Sequence, residues 1–266
     1  MTQAVAFAPS SPAALPRIPL LGVHVTDATK AEASALLGGW IQARDGRSRS
    51  VFIVNAHSLN LACEDAGYRT VLNTGDVVFG DGTGVRLAAK LKGVRLKDNL
   101  VGTDLLPYFF QETGPRGYRY FLLGGTPDTP SRAAELLERE YPGIRLAGWR
   151  HGFVGPGEDS DVVAQINTAA PDVLLVGMGN PLQERWIHDH LAALRVPVSI
   201  GVGGLFDHWA GNLKRAPLWV RRLGVEWMQI LMQQPHKWQR YLVGNPKFVS
   251  RALKDARWNG TGGKAA

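Results

Sequence analysis

The chain has 266 residues, 45% of them apolar and 20% charged, with one cysteine and a formal net charge of +7. That length and apolar content are enough to bury a real core; they exclude a disordered chain and suggest one large domain, or one domain with an appendage. The single thiol, Cys63, excludes a disulfide scaffold or a cysteine-built zinc site and fits a reducing compartment, most simply the cytoplasm. No run approaches the roughly 18–20 consecutive apolar residues of a membrane span.

Taken in chain order, the first residues, MTQAVAFAPSSPAALPRIPL, carry no cation ahead of their apolar part. They read as a flexible Ala/Pro/Ser arm over residues 1–16 rather than as a signal peptide. Strand-type and helix-type patterns then alternate. Strands are expected at Ile18–Val25, Ser50–Val54, Val77–Phe79, Arg119–Leu123, Ile144–Gly148, Val173–Val176 and Val198–Val202. Helices are expected between them at Ala28–Gln42, Leu59–Asn73, Gly84–Lys92, Asp104–Thr113, Ser131–Tyr141, Asp161–Ala170 and Pro181–Leu194. This spacing predicts βαβ units, and strands as apolar as YFLLGG and VLLVGMG suit a parallel sheet buried on both faces. After Gly211 the pattern is helical only: Pro217–Arg222, Val225–Gln233, His236–Val243 and Pro246–Trp258. The expected organisation is a Rossmann-like α/β domain over 17–212 and a helical appendage over 213–266.

That appendage holds the charge. Ten Lys/Arg between Lys214 and Arg257 face two acids, Glu226 and Asp255, so this segment carries +8 and the remainder about −1. Four of the eight tryptophans, Trp219, Trp227, Trp238 and Trp258, lie there too. Cations interleaved with aromatic rings suit an anionic membrane face, a nucleic acid, or simply a solvated basic helix surface.

Ligands of open α/β folds bind beyond the carboxyl ends of the strands. The conspicuous motifs all stand at such ends: Asn55-Ala56-His57, Gly80-Asp81-Gly82, Gly124-Gly125-Thr126, the GMGNPLQE run from Gly177 to Glu184, and GVGGLFD from Gly201 to Asp207. Five such ends on one rim predict a long cleft for two substrates. The Gly124-Gly125 turn is either a phosphate cradle at a helix start or an ordinary βα turn. Asp81, between two glycines, is either a base that takes a proton from a hydroxyl or the cap of the following helix. The D-x-D of Asp159 and Asp161 opens a helix and is explained by capping, so no metal site is assigned. His188 and His190 diverge on a helix, which disfavours zinc. His57 reads as cleft-lining rather than catalytic. No G-x-G-x-x-G follows a strand and no G-x-S-x-G occurs, which weighs against dinucleotide and serine-hydrolase chemistry.

From about Val51 to Arg251, the runs VNAHSLN, FGDGTGVRLAAKL, VGTDLLP, FLLGGTPDT, GMGNPLQERW, GVGGLFDHWAGNLKRAPLWVRRLGVEWM and RYLVGNPKF resemble the WecG/TagA/CpsF glycosyltransferases, family 26 of the sugar-transferase classification. The resemblance implies inverting, metal-independent transfer of a hexose from a UDP-sugar to a polyprenyl-pyrophosphate-linked sugar at the inner face of the cell membrane, in surface-polysaccharide synthesis. No cofactor is expected beyond the UDP-sugar co-substrate. The family's proposed base falls on Asp81, its motif glutamine on Gln183, its nucleotide-side glycines on Gly124 and Gly125, and its diphosphate-gripping cations on Lys237 and Arg240. With their neighbours, the donor-side candidates are Gly124, Gly125, Thr126, Gly177, Gly179, Asn180, Gln183, Glu184 and Gly203. The acceptor-side candidates are Asn55, His57, Thr103, Asp104, Arg215, Lys237 and Arg240. Two positions depart from many relatives: Ile53 stands for Thr and Ile230 for Arg, which points to altered donor or acceptor choice, with Arg215, Arg221 and Arg222 as compensating cations. The resemblance further suggests a peripheral membrane protein and a homo-oligomer. A nicotinamide-dependent oxidoreductase would share the layout but needs the missing glycine fingerprint. A nucleic-acid-binding module would explain the basic tail but not five ligand-type strand ends, so no nucleic-acid partner is expected.

Overall fold

The computed structural model describes residues 15–261 except 218, 221, 222 and 224, and of 258–261 only the backbone. Most of the arm expected over 1–16, and Arg221 and Arg222 of the helix expected at Pro217–Arg222, lie outside the described residues.

Eight strands form one sheet: β1 Arg17–Leu20, β2 Val23–Thr26, β3 Arg49–Val54, β4 Val77–Gly80, β5 Arg119–Gly124, β6 Arg145–Arg150, β7 Val173–Gly177 and β8 Val198–Gly201. Their order is β1-β2-β4-β3-β8-β7-β5-β6, with β1 and β2 antiparallel and every other pair parallel. The described helices are α1 Lys30–Ala43, α2 Ala56–Glu64, α3 Ala66–Thr74, α4 Gly82–Leu91, α5 Gly102–Thr113, α6 Thr129–Glu140, α7 Asp159–Ala169, α8 Leu182–His190, α9 Leu205–Trp209, α10 Glu226–Gln233 and α11 Gly244–Thr261. The protein is thus a Rossmann-like α/β fold with a helical C-terminal segment.

Alternation along the strands splits the core into two layers. On β3, Phe52 and Val54 enter one apolar cluster with residues of α2, α3, α4, α7 and α8, while Val51 and Ile53 enter the other with α1, α5, α6 and α9. Because both faces are covered, β3, β4 and β8 are buried at every position.

Three expected elements are corrected. The single strand expected at Ile18–Val25 is a hairpin: Leu21 and Gly22 take φ of +50° and +82° and reverse the chain between β1 and β2. A leucine in the left-handed region is no turn signal, so the apolar run reads as continuous. The helix expected over Leu59–Asn73 is broken at Asp65, whose extended backbone ends α2 and whose carboxylate accepts from Tyr68 N at 2.9 Å to cap α3. The segment expected as helix over His236–Val243 is a 3₁₀ turn, Pro235–Lys237, followed by a π segment, Gln239–Val243, that runs straight into α11. Such π turns concentrate at functional sites, and this one carries Arg240.

α11 packs on α2 and α4, and its Phe248 and Ala252 are buried in the same cluster as Phe52 and Val54. Gly84 makes this approach feasible: a Cβ there would meet Ala56 Cβ at 2.9 Å and Phe248 Cε1 at 3.3 Å. Asn60, buried on α2, latches the segment by donating from Nδ2 to Gly244 O at 2.8 Å and accepting from Arg251 Nη1 at 3.0 Å. Asn60→Ala removes the donor to the half-buried Gly244 O, while Arg251 Nη1 keeps Asn60 O at 3.0 Å and Glu64 Oε1 at 2.9 Å, and is expected to cost about 1 kcal/mol, read as a lower midpoint in urea. An unchanged midpoint would show that the latch contributes nothing.

Candidate active site

The carboxyl ends of β4, β3, β8, β7 and β5 are consecutive in the sheet, and residues following all five line one cleft of about 1160 Å³. Asp81 and Asn55 stand at one end of it, Gly125 and Thr126 at the other, with Gly177, Gly179, Asn180, Gln183 and Gly203 between. The tail forms the opposite wall through His236, Lys237, Arg240 and Lys247.

Asp81 is fixed by its backbone: its N–H donates to Val54 O at 2.8 Å. It occupies the N-cap position of α4, yet its side chain makes no capping bond. Asn99 does that work instead, its Oδ1 accepting from Gly82 N at 2.7 Å. Of the two roles the sequence leaves open, capping is therefore taken by another residue, and the carboxylate is left to the cleft. Burial pushes the Asp81 carboxyl up to about 7, Glu226 adds to the rise, and Arg240 opposes it. A carboxyl poised near neutrality is what a general base working at neutral pH needs.

His57 lines the same wall. Burial, and then the positive field of Arg240, lower its pKa to about 4, so it is a neutral imidazole at physiological pH. Asn55 spends its Oδ1 on capping α2, accepting from His57 N at 3.0 Å and Ser58 N at 3.2 Å; its NH₂ takes no part in the cap.

On the far side, Gly124 has φ +148°, and a Cβ there would lie 2.4 Å from Gly177 O, so this close crossing of β5 and β7 tolerates no side chain. Gly124 is buried behind Gly125 and Thr126, which face the cleft. Gln183 ties two turns together: its Oε1 accepts from Gly179 N at 3.2 Å and from Gly203 N at 2.8 Å. Its Nε2 donates to Glu184 Oε1 at 2.7 Å, and Asn180 Nδ2 donates to the same oxygen at 2.6 Å. Glu184 is fully buried beside the Tyr68 hydroxyl, and burial raises its pKa to about 7. It is a buttress beneath the cleft and does not touch it. A carboxylate accepts only, so it forces both amides to turn their NH₂ groups inward and fixes which atom of Asn180 looks outward.

Thr103, Asp104 and Arg215 are brought together, but around a second cavity of about 530 Å³ beside the first. Arg215 Nη2 pairs with Asp104 Oδ1 at 2.7 Å and Nη1 donates to Thr103 O at 3.2 Å. Asp104 and Arg215 act on Asp81 through their charges, the first raising and the second lowering its pKa. Ile53 lines the main cleft, whereas Ile230 on α10 lines none of the described cavities. Asp159 accepts from Trp186 Nε1 at 2.8 Å and Glu158 pairs with Arg150 at 2.9 Å, so the acidic run at α7 is structurally engaged.

Three residues of the site were assigned no role from sequence, although Asp207 closes the GVGGLFD motif. Glu226 and Tyr241 sit close enough to Asp81 to act on its charge or feel it, and Asp207 lines the cleft and raises the Lys237 pKa that burial lowers. Glu226 had one signal, being one of only two acids in the basic tail.

Fold and cleft are those of a Rossmann-like α/β enzyme whose ligands enter over the strand ends. The chain belongs to the WecG/TagA/CpsF family of glycosyl transferases, which matches over residues 18–261. Among curated relatives it is similar to the N-acetylglucosaminyldiphosphoundecaprenol N-acetyl-beta-D-mannosaminyltransferase of Bacillus subtilis, 35% identical over 77% of this chain and 78% of that one. The protein of the same name from Bacillus spizizenii is 33% identical over 79% and 82%, and that from Staphylococcus aureus strain MW2 is 29% identical over 91% and 94%. Among the described residues, no helix is long and apolar enough to cross a membrane.

Proposed function

We propose that this glycosyltransferase moves a hexose from a UDP-sugar to a sugar linked to polyprenyl diphosphate, with inversion and without a metal, at the inner face of the cell membrane in surface-polysaccharide synthesis. The observation that carries the reading is the opposition, across one cleft, of an uncapped Asp81 carboxyl and the cations Lys237 and Arg240. The relatives' names supply the acceptor class, a diphosphoundecaprenol-linked N-acetylglucosamine.

In this mechanism Asp81 takes the proton of the acceptor hydroxyl as its oxygen attacks the anomeric carbon from the face opposite UDP. The new glycosidic bond forms as the bond to the β-phosphate oxygen breaks, and UDP departs with the electron pair. One carboxylate suffices, because a single displacement forms no glycosyl-enzyme intermediate. The donor lies along Gly125, Thr126 and the turns at Gly179 and Gly203, whose backbone dipoles offset leaving-group charge; Lys237 and Arg240 hold the diphosphate of the acceptor. The tail's exposed apolar residues, Met232 (82% exposed), Leu223 and Trp219 among them, with its cations, suit an anionic bilayer.

UDP release from a panel of UDP-sugars, with and without a short-chain lipid diphosphate-linked N-acetylglucosamine and in the presence of EDTA, tests the reading. Release from one donor that needs the acceptor and survives EDTA is expected; release abolished by EDTA, or independent of acceptor, overturns it. Lys237→Ala and Arg240→Ala are each expected to lower kcat/KM by about 10–100-fold. A full-rate Arg240→Ala would move the diphosphate elsewhere.

A further inference from the structure

Beside the active cleft lies a second groove, of about 690 Å³, between α10 and the outer face of α11. Trp227 and Tyr241 close one end, their rings stacked at 6.1 Å. Leu242, Val249 and Leu253 form its floor, and Lys254 and Arg257 stand at the other end. The sequence explains its shape. Phe248 and Ala252 take the inner stripe of α11 into the core, while Pro246, Val249, Leu253 and Arg257 follow a 3–4 spacing on another stripe. Val249 and Leu253 remain 38% and 41% exposed and Leu242 54%. The helix therefore carries a second apolar face that nothing in the fold requires.

We propose that this groove seats the isoprenoid chain of the acceptor. The inference rests on the transfer reading above for the identity of that lipid, and on continuity for its position. Arg240 and Val243 line the cleft, Tyr241 and Leu242 line the groove, and all four are consecutive on the π segment. Arg240 also lies over the Tyr241 ring, 5.4 Å from its centroid. A diphosphate held at Lys237 and Arg240 thus has its sugar side toward Asp81 and its lipid side at the Tyr241–Trp227 end of the groove. From Pro246 to Arg257 the helix advances about 16 Å, and its last groove residues are cations, which suit the headgroups where the chain would pass into the bilayer. The π turn gives the arrangement its geometry, because it places neighbouring residues on both sides of one wall.

Calorimetric titration of the full-length chain with farnesyl diphosphate and with inorganic diphosphate tests this, in wild type and in Val249→Ser/Leu253→Ser, whose positions are partly exposed already. Wild type is expected to bind farnesyl diphosphate at least about tenfold more tightly than diphosphate, about 1.4 kcal/mol by the affinity relation. The double variant is expected to keep its diphosphate affinity and its melting temperature while that preference falls below about threefold. A preference unchanged in the variant, or absent in wild type, overturns the proposal. So does self-association of wild type that the variant loses without any prenyl preference, which would make the face a contact between copies. Vesicle binding lost in the variant with the farnesyl preference intact would give the groove to bilayer acyl chains and equally overturn it. Prenyl-dependent binding without sugar transfer to any lipid diphosphate acceptor would sink the transfer reading alone.

Discussion

Asp81→Asn is expected to lower kcat by about three orders of magnitude, within the range of a lost general base, while making the protein more stable. Both effects follow from one placement. Asn99 already caps α4, so the substitution breaks no capping bond, and an amide fills the space of the carboxyl. What disappears is the proton acceptor. The stability gain follows from the raised pKa. Between the ordinary carboxylate value and about 7, the folded chain holds a proton at Asp81 that the unfolded chain has released. The contribution of this group to stability is therefore complete at low pH and falls as pH rises through that window. At pH 8 the wild type carries the cost of a charged, crowded Asp81, and the amide does not. The full shift converts to a ceiling of about 4 kcal/mol; about 1–2 is expected, seen as a higher melting temperature at pH 8 and no gain at pH 4. The same value sets the rate profile: kcat/KM in wild type should rise with unit slope below about pH 7 and stand about tenfold under its plateau at pH 6. A variant that keeps a tenth of the rate, or a wild-type profile flat from pH 5 to 8, removes Asp81 from the base's role.

The parallel sheet was legible because its strands are apolar over whole runs and its helices return at βαβ spacing. That is a pattern of composition, which survives without knowledge of contacts. The misread elements turned on single residues acting against type. Leu21 adopts a left-handed conformation that a leucine rarely takes, and Asp65 breaks one helical period into two by serving both neighbours. The rim of the cleft was legible for the same reason as the sheet, since glycine and polar residues at strand ends mark where ligands approach a parallel sheet. What lay behind the rim was not. Glu184 belongs to the motif that drew attention, yet its side chain turns into the interior and leaves the donor side to Gln183 and Asn180. Thr103, Asp104 and Arg215 do meet, but across a separate cavity. Glu226 reaches Asp81 only because the tail folds back over the sheet, a placement that no local pattern encodes.

Gln183→Ala should be the most damaging change on the donor side, with an expected cost of about 2–4 kcal/mol and a KM for the UDP-sugar raised about 10–100-fold. Gln183 is almost completely buried, and one amide serves three groups: the N–H of Gly179, the N–H of Gly203 and the Glu184 carboxyl. Alanine leaves two backbone donors unmatched, each worth about 1–3 kcal/mol when buried, although cleft water can reach part of the space. The turns after β7 and β8 are then no longer tied, and these are the turns whose dipoles the donor diphosphate is proposed to use. Gln183→Glu separates the two functions of the amide. Its carboxylate can still accept from both glycine N–H groups, but it cannot donate to Glu184 when ionised. Two buried carboxyls side by side then compete for one proton, and the pair's upper titration rises above the value near 7 that Glu184 has alone. The folded chain holds that proton where the unfolded chain does not, so this variant should be close to wild type in stability at pH 5 and fall away as pH rises toward 8. Equal destabilisation of Gln183→Glu at both pH values would mean that packing, and not the shared proton, is what Gln183 provides to Glu184. A donor KM unchanged in Gln183→Ala would mean that the glycine turns hold their positions without it.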